Sequence, residues 1–275
     1  MTNSYTQPVS ELLKLGRPER PWLDYSTLGF THEDIPELLR LVKDNNLRYL
    51  DLPEDFPEDE DLPDWYGQIH AWRALAQLKV EEAIPAVLGI LRQIDEDDDD
   101  WLTSDARLVF GTLGPVAIEP LKRFLADENN PMYARVEASM SLVEIGNRYP
   151  EERVRCIQGI TVVLEKYETN DEEFNGFLVS RLIDAKAVEQ IELIKGAFEA
   201  NAVDEFINGD VEDVQIELGL LEKRITPERP LRFGNFPLAA DVRVEMASKS
   251  RQTEHKQKNK RKQEKKSRKK NRKRR

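Results

Sequence analysis

One cysteine, Cys156, stands among 275 residues. Its solitude excludes an internal disulfide and any zinc site built from several cysteines, and a reducing, cytoplasmic setting is the simplest expectation. Histidine is nearly as sparse. His32, His70 and His255 have no Glu or His at a ligand-like spacing, so no metal is expected. No stretch approaches the roughly 20 apolar residues that cross a bilayer. Met1–Leu15 lacks the basic-then-apolar order of a secretory signal. Catalytic signatures are missing too: Gly111-Thr112-Leu113-Gly114 is not followed by Lys-Ser/Thr, and no G-x-S-x-G elbow occurs. No catalytic residue and no cofactor are expected.

Charge is abundant but segregated. The whole chain carries −11, yet residues 249–275 hold sixteen Lys/Arg against Glu254 and Glu264, a balance of +14 that leaves −25 on the rest. The body should repel polyanions and the tail attract them. Lys258, Lys260, Arg261, Lys262, Lys265, Lys266, Arg268, Lys269, Lys270, Arg272, Lys273, Arg274 and Arg275 are the expected polyanion contacts, because Lys and Arg neutralise phosphates and release counterions. The tail has no aromatic residue, so base stacking is closed to it. RNA or a ribonucleoprotein is the leading partner, a fold-back onto the acidic body the alternative; the same residues would suit nuclear localisation in a eukaryote. Beyond Ser248 the composition predicts disorder. The acidic runs Asp95–Asp100 and Glu54–Asp64 read as exposed loops. An EF-hand beginning at Asp95 would need a glycine where Asp100 stands and a glutamate where Ala106 stands.

Between these segments runs a helical repeat. Ala83–Leu91 aligns with Ala117–Leu125 at an offset of 34, and the anchors Leu78, Leu113, Ile145 and Ile183 are separated by 35, 32 and 38 residues. Such a period signals stacked helix pairs, none able to bury its apolar face alone. Ile84, Leu88 and Leu91 share one helical face, and Pro85 falls in a first turn, where its missing N–H costs little. Pro120 fits the same way if its helix begins near Ile118. Ile35–Val42 is expected to be a helix, although Thr31-His32-Glu33-Asp34 makes a poor capping box with Asp in the Glu position. Ile160–Leu164 is the best strand candidate but lies inside a longer helical period. Leu231–Ala240 is expected to pack as an extended strap.

Ala83-Ile84-Pro85 and Gly114-Pro115-Val116-Ala117-Ile118-Glu119-Pro120-Leu121 resemble the HEAT-like repeats first noted in phycobilisome lyases, over residues 67–200. Asn175–Val179 through Gly209–Gln215 is similar to a group of bacterial HEAT-like proteins, some of which carry a Cys-rich, metal-binding C-terminal module. Residues 231–275 have no cysteine, so zinc is not implied. The resemblance implies an all-α fold: a HEAT-like α-solenoid of about four to six helix pairs with a disordered basic C-terminal tail. The expected divisions are an N-terminal cap at 1–66, the repeat domain at 67–226, a strap at 227–248 and the tail at 249–275. Solenoids bind through their inner helices, so Arg92, Lys122, Arg123 and Lys195 are candidate concave-face contacts. The expected function is a non-catalytic protein-binding scaffold whose tail reaches a polyanion. A lyase-like enzyme, by analogy with the repeats alone, and a purely structural interaction protein are the alternatives.

Overall fold

The computed structural model describes residues 5–48, 66–92, 100–227, 232–233 and 236–237. The chain divides after Glu222. All its described helices belong to the first unit. In the second, Arg232–Phe233 (β1) and Phe236–Pro237 (β2) form an antiparallel pair in which Arg232 faces Pro237 and Phe233 faces Phe236. The extended strap expected over 231–240 is thus partly a two-residue ladder. Residues 95–99 of the first acidic run, the run Glu54–Asp64 and the basic tail lie outside the described residues; Asp100, expected in a loop, is the first residue of the helix Asp100–Leu113.

The first unit begins with 3-10 turns at Val9–Lys14, Tyr25–Leu28 and His32–Asp34, then α1 (Ile35–Val42) and α2 (Asn45–Arg48). Helices follow in pairs: α3 (Gly67–Gln77) with α4 (Ala83–Leu91), α5 (Asp100–Leu113) with α6 (Ile118–Ala126), α7 (Met132–Arg148) with α8 (Arg153–Leu164), and α9 (Glu172–Asp184) with α10 (Ile191–Glu199). Short α11 (Glu205–Asn208) and α12 (Val211–Glu217) end the unit. First helices pack in succession, α3 on α5, α5 on α7 and α7 on α9. Ile160–Leu164 is helical, within α8, and α6 begins at Ile118, so both prolines occupy first turns. Among the described residues no helix is long and apolar enough to cross a membrane.

Local chemistry sets the helix ends. Asp171 accepts from the N–H groups of Glu173 and Phe174 at 2.9 and 3.3 Å, and Asp210 does the same for Glu212 and Asp213. The Thr31–Asp34 box, expected to be poor, is complete. Thr31 Oγ1 accepts from Glu33 N, and Asp34 returns a bond to Thr31 N at 2.7 Å. Aspartate reaches because the turn it closes is a tight 3-10 turn. α5 stops at Gly114, whose φ of +84° suits glycine and whose N–H bonds the carbonyl of Phe110.

Helix α3 departs from the amphipathic pattern, being buried on every side from Gly67 to Ala76. The N-terminal turns wrap it, contributing Tyr5, Val9, Leu12 and Tyr25 to the core. Each buried polar group of α3 therefore needs a partner. Gln68 donates to the carbonyls of Val42 and Asp44. His70, Arg73 and Gln77, spaced i, i+3 and i+7, hold the segment 16–25. His70 Nε2 lies 2.9 Å from the Gly16 carbonyl and Nδ1 2.6 Å from Tyr25 Oη. A carbonyl only accepts, so Nε2 carries the proton and Nδ1 accepts from the tyrosine. Burial pushes the His70 pKa down, consistent with that neutral ring.

Candidate functional site

The second helices are unevenly spaced. α6 packs against α8, whereas α4 and α6 lack comparable packing. Side-chain size accounts for the difference. Where α6 meets α8, Gly159 lies under the stem of Lys122; a Cβ on Gly159 would sit 2.6 Å from Lys122 Cγ. The side chains between α4 and α6 are bulky instead, with Leu88 and Phe124 both lining the space. Between α4 and α6 a groove of about 450 Å³ remains. Its apolar lining includes Ile84, Leu88, Val116 and Phe124, and Val116 is 41% exposed.

Two guanidinium groups border this groove, Arg92 and Arg123. Arg92 is held in place: its Nε donates to Asn130 Oδ1 at 2.8 Å, Asn130 Nδ2 donates to the Phe124 carbonyl at 2.9 Å, and the guanidinium carbon lies 5.0 Å from the Phe124 ring centroid. Arg123 is exposed, and among the described residues neither arginine forms an ion pair. Two acids also border the groove. Asp127 accepts from the N–H and side-chain amide of Asn129 at 3.0 and 2.8 Å, bonds that hold its carboxyl below the usual range. Glu81 precedes the first turn of α4, eleven residues from Arg92, or about 16 Å along the helix.

Of the four candidates on second helices, the structure thus brings Arg92 and Arg123 together and separates the other two. Lys122 covers Gly159 and pairs with Glu119 at 3.2 Å; Lys195, on α10, pairs with Glu192 at 2.9 Å. The thirteen candidates from Lys258 to Arg275 lie outside the described residues. Asn130 and Val116 were not singled out by sequence, since each falls in a break between helices. Asn130 before Pro131 reads simply as a turn.

The remaining reactive groups are structural in setting. Cys156 is buried, and burial pushes its thiol up to about 11, far from a reactive thiolate. Asp105, from α5, joins Arg73, Arg20 and Trp72 Nε1. Glu137 on α7 is less settled. Burial pushes its carboxyl up to about 7 despite the charges of Arg107 and Arg181, and its Oε2 has no hydrogen-bond partner. No group of three or more His, Cys, Asp or Glu that could hold a metal occurs among the described residues.

No curated protein and no solved structure matches the chain. A family does match, over residues 29–248, a span that contains the α4–α6 groove but not Gly16 or Tyr25, the partners of His70. The chain belongs to that family, described as "Protein of unknown function (DUF1186)".

Proposed function

We propose that the chain is a non-catalytic protein-binding scaffold, a HEAT-like α-solenoid whose basic tail contacts a polyanion such as RNA or a ribonucleoprotein. The observation that carries this reading is the α4–α6 groove. It separates two second helices that do not pack closely, and it pairs an apolar floor with two arginines that form no ion pair among the described residues. Repeat arrays bind through such rows, because successive helices offer a continuous surface of fixed spacing. The charge split supports a division of labour, with −25 on residues 1–248 and +14 on residues 249–275. An acidic body is poorly suited to hold nucleic acid by itself, and a tail without aromatics would grip phosphate without reading sequence.

Filter binding of RNA to the full chain and to a chain ending at Ser248 tests the tethering half. Binding that disappears with the tail supports it, and binding that survives sinks it. Partner capture with the same two chains tests the scaffold half: a protein partner held by both belongs to the body.

A further inference from the structure

We propose that the α4–α6 groove takes an extended acidic peptide, its carboxylates on Arg92 and Arg123 and an apolar side chain seated against Leu88, Val116 and Phe124. The proposal rests on the scaffold reading and names the partner's chemistry at one site. Three features select it. Arg92 has its Nε engaged by Asn130 and one face against Phe124, which fixes the guanidinium and leaves its terminal amines for a ligand. A held guanidinium loses little freedom when a carboxylate docks, and the fork geometry suits one. Arg123 supplies a second cation on the facing helix, in no ion pair among the described residues.

The acids of the groove do not reverse this choice. Asp127 stays ionised, held low by Asn129 and by the charge of Arg92, so its end of the groove sets two arginines against one carboxylate, and Glu81 lies at the other end of α4. The cationic end is therefore the Arg92–Arg123 end, and the apolar floor adjoins it. A strand rises about 3.3 Å per residue, so roughly five extended residues span the length of α4 from Glu81 to Arg92. Alternation along such a segment places acidic and apolar side chains on opposite faces.

The test uses the full chain, near-physiological salt and a heptapeptide of alternating leucine and glutamate bearing a photocrosslinker; a lysine-for-glutamate version is the comparison. Crosslinks mapped by mass spectrometry should fall within residues 84–92 and 116–130 for the glutamate probe. Arg123 is exposed, which makes Arg123→Glu a substitution that keeps the fold, checked by an unchanged thermal midpoint. It should cut groove crosslinking by the glutamate probe at least tenfold and raise that by the lysine probe. Val116→Ser should weaken the glutamate probe by several-fold without changing its charge preference. Crosslinks confined to the basic tail, or groove crosslinks indifferent to Arg123→Glu, overturn the proposal. The scaffold reading fails separately, if no protein partner is held by the chain ending at Ser248.

Discussion

Asp105 meets Arg73 with both of its oxygens, Oδ1 at 2.8 Å from Nη2 and Oδ2 at 2.5 Å from Nε, and both side chains are 0% exposed. The pair joins α3 to α5 across a sequence separation of 32 residues. Arg73 also donates to the Glu19 carbonyl at 3.0 Å and lies 5.0 Å from the Trp22 ring. One carboxylate thus ties the wrapped N-terminal segment to the first two helix pairs. Asp105→Ala should cost about 3–5 kcal/mol, because it leaves a buried guanidinium without its counter-charge. Urea denaturation measures the loss. Replacing both residues, Arg73→Met with Asp105→Leu, should recover most of it, since no buried charge is left orphaned: Arg20, the other cation on Asp105, is 47% exposed. A double variant as unstable as the single one would refute that account.

Asn175 performs a similar joining task with a neutral side chain. It is 0% exposed, donates to the carbonyls of Tyr167 and Ala202 at 2.9 and 2.7 Å, and accepts from Asn170 Nδ2 at 2.9 Å. These bonds fasten α9 to the loop before it and to the loop after α10. Asn175→Ala should cost about 3 kcal/mol, through two carbonyls left without a donor. Asn175→Asp should cost more, because it aims a carboxylate at those carbonyls. Thermal midpoints of the two variants give the order, and a milder effect for Asp would be evidence against this pairing.

Glu137 sets a pH dependence with a definite sign. Its carboxyl sits at about 7 in the folded chain, against an ordinary value of 4.5. Between those values the folded chain keeps a proton that the unfolded chain has lost. Stability from this group is thus full at low pH and falls as pH rises toward 7. At about 1.4 kcal/mol per unit, the loss reaches about 3 kcal/mol above pH 7. Glu137→Gln should therefore stabilise the protein at pH 8 and do little at pH 4. Denaturation at the two pH values checks this; an equal effect at both would remove the titration as cause.

Elements with a strong helical period were legible in the sequence. α1 occupies Ile35–Val42 as expected, and α4 and α6 begin where Pro85 and Pro120 belong to first turns. What escaped was burial without a period. Tyr5, Val9, Leu12 and Tyr25 reach the core from 3-10 turns and loops, which leave no 3.6-residue signature. The polar stripe His70, Arg73, Gln77 was visible as helical spacing, yet only its partners on residues 16–25 and Asp105 give it meaning. The groove shows the same limit: Arg92 and Arg123 could be placed on second helices, but the space lined by Leu88 and Phe124 between those helices exists only once the helices are packed.

The tail admits a quantitative test that the body does not. If its cations neutralise RNA phosphates, the logarithm of the binding constant should fall linearly with the logarithm of salt concentration, with a slope of about −0.7 per phosphate on a single strand. Engagement of all sixteen Lys/Arg of residues 249–275 would give a slope near −11 by that rule. Removing Arg268–Arg275 deletes seven of them, so the slope should become shallower by about 5. The sequence of the RNA should matter little, because no aromatic residue is there to stack on a base. Affinity measured from low to moderate salt on two unrelated single strands gives both quantities. A slope unchanged by the truncation would place the phosphate contacts elsewhere on the chain, and the −25 body leaves few places for them.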